Sequence, residues 1–110
     1  MIKLRPDVRM GGIQPEMVLA MTMVHEWCRV REWDMWVFSI MEGKHSAGSL
    51  HYVGYAFDFW PDQAERDAFS FGKETVIQIK TLLGQDFDVV FEVKPLHIHV
   101  EFQPKVPMNG

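Results

Sequence analysis

The sequence predicts an α+β fold in which a small antiparallel sheet is packed against two main helices. Two long segments carry apolar side chains at the spacing of an amphipathic helix, and four shorter segments are apolar, aromatic or alternating, as strands are. Their order along the chain is helix, two strands, helix, two strands. Antiparallel strand pairs with helices to one side make an α+β arrangement.

The first helix is expected to begin at Gln14-Pro15-Glu16, after a Gly11-Gly12 turn. Proline is tolerated in the first turn of a helix, and Glu16 complements the positive end of the helix dipole. One face of this helix is apolar and is expected to pack into the core, since methionine fills gaps in cores. Its members are Met17, Ala20, Met21, Val24, Trp27 and Cys28.

The first pair of strands is predicted at Met35–Ile40 and Tyr55–Trp60. The first is apolar and rich in aromatic and branched residues, and the second alternates. A polar, glycine-containing loop, residues 42–53, connects them. Pro61 and Asp62 are expected to stop the second strand.

The second helix is predicted to run roughly from Gln63 to Leu83. Gly72 is expected to weaken or interrupt it, at a cost of up to about 1 kcal/mol relative to alanine. Gly84 is a natural C-terminal stop. Two further strands are predicted at Val89–Val93 and His97–Phe102.

The length of 110 residues predicts one domain, residues 1–110, with residues 103–110 as a loose tail. Eleven basic against fifteen acidic residues, without a basic stripe, argue against nucleic-acid binding. The apolar runs are too short to cross a bilayer, so no membrane insertion is expected. A single cysteine, Cys28, excludes an internal disulfide. The first residues lack the apolar core of a signal peptide, which predicts a protein made in the cytoplasm.

Four of the five histidines lie in two short segments, His45 and His51 in one, His97 and His99 in the other. On a strand, residues two apart share a face, so His97 and His99 point the same way. Asp58, on the second predicted strand, can meet them if the two strands are close in one sheet. Two histidines and one aspartate supply three zinc ligands and leave a position for water. From the spacing alone, a zinc site and ordinary strand histidines that hold no metal are equally supported.

The segment Ser49–Asp58 reads SLHYVGYAFD and matches the pattern S-x-H-x-x-G-x-A-x-D. Together with the later His97-Ile98-His99, it resembles the LAS metallopeptidase superfamily. That group includes D-alanyl-D-alanine carboxypeptidases, phage endolysin peptidases and the zinc-binding domain of Hedgehog proteins, and residues 45–58 are most similar to the Hedgehog version. The resemblance implies a Hedgehog and D-Ala-D-Ala peptidase-like fold and a bound zinc ion.

The resemblance also implies roles for individual residues. His51, Asp58 and His99 correspond to the three zinc ligands of the family. His97 corresponds to the histidine that faces the open side of the metal and stabilises an oxyanion. His45 corresponds to a further active-site histidine of the Hedgehog-like branch.

The general base of the family is an acid just upstream of the last ligand. Glu92 is the only acid close upstream here, seven residues before His99, which is about one residue more than the Hedgehog-like pattern. Glu101 is a rival base, since it shares a strand face with His99. A structural role for the Glu101 carboxylate is the favoured alternative to catalysis.

The function implied by the resemblance is zinc-dependent hydrolysis of a peptide bond in the peptidoglycan stem or cross-link. Residues 39–43 read SIMEG and contain no arginine to hold a substrate carboxylate, and Tyr55 stands where relatives often have arginine. These departures favour an endolysin-like endopeptidase over a D-Ala-D-Ala carboxypeptidase, in the manner of a phage lysin that another factor releases to the cell wall. The alternative is a zinc-holding binding module without catalysis, and the oligomeric state is left open.

Overall fold

The fold is described by a computed structural model that covers residues 2–4, 14–39, 56–62, 67–94 and 96–103. Two helices and five strands lie in these ranges: β1 (Ile2–Leu4), α1 (Pro15–Val30), β2 (Asp34–Ser39), β3 (Ala56–Asp62), α2 (Ala68–Leu83), β4 (Phe87–Val93) and β5 (Leu96–Phe102). The strands form one sheet in the order β1-β2-β3-β5-β4. The α+β class and the order of the two helices and last four strands are as predicted.

The sheet is mixed, which corrects the expectation of a purely antiparallel one. β1 pairs with β2 in parallel, with Ile2 opposite Met35, whereas the other three ladders are antiparallel. Sequence reasoning assigned no strand to the opening segment. Three residues are too few to display the two-residue alternation on which strand prediction rests.

α1 begins as predicted, with Pro15 in the first turn. Gln14 is extended and makes no side-chain cap hydrogen bond, and its carbonyl accepts the N–H groups of Met17 and Val18. The helix ends where Glu32 takes a positive φ of 61° and the N–H of Trp33 returns to the carbonyl of Cys28. Burial of the Cys28 thiol raises its pKa to about 12, so this thiol stays protonated and unreactive.

α2 begins later than predicted. The carboxylate of Asp67 accepts the N–H of Phe69 at 3.0 Å and caps the helix, so the first residue of α2 is Ala68. Gln63, where the helix was expected to begin, lies outside the described residues. At the other end Gly84 has a φ of 90°, which only glycine adopts readily, and it ends the helix as expected. No helix in the described ranges is long and apolar enough to cross a membrane.

Pro61 lies inside β3 rather than ending it, contrary to expectation. It is buried and pairs with Met35 of β2. The ladder between β3 and β5 ends earlier, at Phe59 opposite Ile98. Beyond that point β3 has a hydrogen-bonded neighbour on one side only, and a proline without an N–H is tolerated there.

Both helices cover the same face of the sheet. The fully buried side chains of this face come from α1, α2 and four of the strands, and they form one apolar cluster: Met17, Ala20, Met21, Val24, Cys28, Met35, Val37, Phe57, Phe59, Ile79, Val89, Ile98 and Val100. Alternation along the strands therefore turns Asp58, between Phe57 and Phe59, and His99, between Ile98 and Val100, to the opposite face.

Gly72 does not interrupt α2, which is continuous to Leu83. A Cβ atom on Gly72 would lie 2.5 Å from Cε1 of Phe91 on β4. The Phe91 ring is itself stacked on Trp60 and meets the edge of Phe69, with centroid separations of 5.9 Å to each. The glycine therefore allows α2 to approach the sheet across an aromatic ring that has little room to move.

We expect Gly72→Ala to destabilise the protein even though alanine is the better helix former. The gain in helix propensity is about 1 kcal/mol, whereas overpacking a filled site costs about 1–3 kcal/mol. The melting temperature of the variant should fall, as measured by calorimetry.

The double variant Gly72→Ala/Phe91→Leu is the control for this explanation. A smaller side chain at position 91 removes the clash, so the double variant should lose less stability than the sum of the two single changes. A more stable Gly72→Ala protein, or strict additivity of the two changes, would contradict the packing account.

Candidate metal centre

Ionisable side chains line the sheet face opposite the helices. Asp58 of β3 is paired with His99 of β5, and His97 of β5 is paired with Glu92 of β4. Glu101 lies on the same face two residues beyond His99. Three strands therefore contribute to one polar surface, and β5 runs through its middle.

Asp58 and His99 are in direct contact although they are 41 residues apart in the chain. Nδ1 of His99 donates to Oδ1 of Asp58 at 2.8 Å. Both side chains are largely buried, with 15% and 17% of their surface exposed. The structure thus brings together two of the three residues that the sequence assigned to the metal.

The second ring nitrogen of His99 is also engaged. Nε2 donates to Oε1 of Glu101 at 2.7 Å, and the side-chain amide of Gln103 donates to Oε2 of the same carboxylate at 2.7 Å. Gln103 was not singled out from the sequence. Its position two residues after Glu101, in step with His97 and His99, is the signal that could have identified it.

The two carboxylates determine the protonation of His99. Burial alone would lower the pKa of this imidazole, but the hydrogen bonds to Asp58 and Glu101, together with their charges, outweigh burial and raise the pKa to about 9. At neutral pH the His99 imidazole is therefore protonated and lies between the Asp58 and Glu101 side chains. A metal that binds His99 must first displace a proton.

His97 occupies the adjacent position on the face. Its residue exposure is only 9%, and its Nε2 lies 3.3 Å from Oε1 of Glu92 and 4.0 Å from Oδ2 of Asp58. The Glu92 side chain is 54% exposed. A buried nitrogen donor and a solvent-accessible carboxylate thus lie side by side, close to the Asp58–His99 pair.

The spacing of Oδ1 of Asp58 and Nδ1 of His99 is compatible with two ligands of one zinc ion. Donors at neighbouring corners of a zinc tetrahedron are about 3.3 Å apart, so a pair at 2.8 Å needs only a small opening. The third predicted ligand, His51, and the further histidine His45 lie outside the described residues. Within the described ranges, no group of three or more histidine, cysteine or acidic side chains is arranged to hold a metal.

The stability of the metal-free protein should depend on pH through His99. The pKa of His99 is raised from 6.5 to about 9 in the folded state, so the stabilisation is complete below pH 6.5 and is lost as the pH rises through about 9. Urea denaturation of chelator-treated protein between about pH 6 and about pH 10 measures this dependence.

The control is His99→Gln, which has no titrating group at this position. Its free energy of unfolding should lack the alkaline decline that the wild type shows. An identical decline in both proteins would assign the effect to other groups.

Comparison with known proteins adds no information about this site. Comparisons of the chain with protein-family models, with curated proteins and with solved structures gave no match. The resemblance to LAS metallopeptidases therefore rests on the two sequence motifs. The geometry of the described residues is a structural observation that does not depend on that resemblance.

Proposed function

We propose that this chain is a zinc-dependent peptidase that cleaves a peptide bond of the peptidoglycan stem or cross-link. The contact between Asp58 and His99 is the observation that carries the proposal, because two residues from separate motifs meet at 2.8 Å across neighbouring strands. His97 and Glu92 lie beside this contact on the same face. Metal ligands, an oxyanion donor and a base are the parts that metal-assisted hydrolysis needs.

Zinc would be held by His51, Asp58 and His99. When bound, zinc supplies a Lewis acid that polarises the scissile carbonyl and makes a coordinated water more acidic. The aspartate brings one negative charge to the donor set, which leaves the site with a net charge near +1. This charge would help to bind the electron-rich carbonyl of a peptide.

Glu92 is the proposed general base. Its carboxylate lies at the edge of the polar face, where attacking water and the substrate have access, since more than half of its side chain is exposed. It would accept a proton from the attacking water and deliver it to the leaving amine nitrogen. Its contact with His97 at 3.3 Å fixes it next to the Asp58–His99 pair.

His97 is the proposed oxyanion donor. Its Nε2 is aimed between Glu92 and Asp58, and its burial leaves few competing waters. A preorganised donor in such a position stabilises negative charge that develops on the carbonyl oxygen, an effect worth a few kcal/mol in other enzymes. His45 would assist from the segment outside the described residues.

Hydrolysis of purified peptidoglycan tests the proposal. The wild type should contain about one zinc per chain and release soluble peptide fragments, and a chelator should abolish that release. His99→Ala should lose both zinc and activity, whereas His97→Ala should keep zinc and lose activity. Zinc binding without hydrolysis would establish the binding module instead, and a protein that takes up no zinc would end the proposal.

We expect Glu92→Gln to reduce hydrolysis by at least about a hundredfold, because the substitution keeps the shape of the side chain and removes its basicity. Zinc content should be unchanged, since Glu92 is not a ligand. Turnover of peptidoglycan and elemental analysis of the same preparation measure the two quantities.

Glu74→Gln is a matched control for the change of charge. Glu74 is an exposed carboxylate on α2, which packs on the opposite side of the sheet, so this variant should keep full activity. An active Glu92→Gln enzyme would show that Glu92 is not the base.

A further inference from the structure

Either of the two ring nitrogens of His99 could bind a metal. Each nitrogen is in contact with a carboxylate, Nδ1 with Asp58 and Nε2 with Glu101. A zinc-bound histidine coordinates the metal through one nitrogen and usually donates the other N–H to a carboxylate or carbonyl. In a metal-bound site, one of these carboxylates would therefore accept the remaining N–H, and the other would lie beside the metal.

The surroundings of the two carboxylates differ. The second oxygen of Asp58 faces His97 at 4.0 Å, on the side where Glu92 also lies. The second oxygen of Glu101 already accepts a hydrogen bond from Gln103 at 2.7 Å. The Asp58 side of the imidazole thus opens toward the groups proposed for catalysis, and the Glu101 side is closed by an amide.

Gln103 is itself anchored. Its backbone N–H donates to the carbonyl of Asp86, the residue before β4, at 2.6 Å. A continuous chain of hydrogen bonds therefore runs from the backbone before β4 through Gln103 and Glu101 to Nε2 of His99. Such a chain restrains the orientation of the imidazole ring.

We propose that Glu101 is a positioning residue, which accepts the Nε2–H of His99 and thereby directs Nδ1 to the metal beside Asp58. Gln103 holds the Glu101 carboxylate in place. This inference rests on the zinc site of the proposed function. It gives Glu101 a role other than that of general base.

Zinc affinity provides the first test. Loss of an outer-shell partner weakens metal binding by about 10–100-fold, so Glu101→Ala should have an effect of that size. Glu101→Gln should be milder, because an amide oxygen can still accept the Nε2–H. Asp58→Ala removes a ligand and should weaken binding more than Glu101→Ala does. Competition with a chromophoric chelator measures all three variants, and Glu74→Gln is the control that changes charge at a remote site.

The nitrogen resonances of His99 provide a second test that does not depend on activity. In the zinc-bound wild type, ¹⁵N spectra should show a proton on Nε2 and the metal on Nδ1. Zinc binding by the wild type with the metal on Nε2, or an undiminished affinity in Glu101→Ala, would overturn the role of Glu101 alone. Absence of zinc binding by the wild type would overturn the proposed function, and the role of Glu101 with it.

Discussion

The pairing of β3 with β5 is the constraint on which the rest of the structure depends. It joins the half of the sheet that contains β1 and β2 to the half that contains β4. Its register places Phe57 and Phe59 beneath the helices and Asp58 on the opposite face, next to His99. A slip of one residue would exchange these faces, burying a carboxylate and exposing two phenylalanines. The core and the polar site are therefore fixed by one ladder.

The charges of this polar face are balanced by its own side chains. Asp58 and Glu101 flank one imidazole, and their mutual repulsion is relieved when that imidazole carries a proton. A zinc ion would replace the proton as the positive partner. The same two carboxylates can thus serve a structural role in the metal-free chain and a coordinating or orienting role in the proposed metal-bound one.

Much of this architecture could be predicted from the sequence, because helical and strand periodicity report directly on which side chains are buried. The same reasoning allowed Asp58 to meet the His97–His99 strand, on the condition that the two strands lie close in one sheet. Three features could not be predicted in this way. The strand at Ile2–Leu4 depends on a partner more than thirty residues away. Pro61 is tolerated because the ladder between β3 and β5 stops at Phe59. The role of Gln103 depends on side-chain geometry that spacing does not specify.

The separation of Asp58 and His99 along the chain has a consequence for folding kinetics. β4 and β5 form a local hairpin, whereas β3 pairs with β5 across a chain separation of 41 residues that includes α2 and β4. Closing so long a segment costs chain entropy, so we expect the pairing of β3 with β5 to form late in folding. Until that step is complete, the carboxylate and the imidazole are on separate pieces of structure. A partly folded chain therefore lacks the Asp58–His99 contact, which forms only when β3 has joined β5.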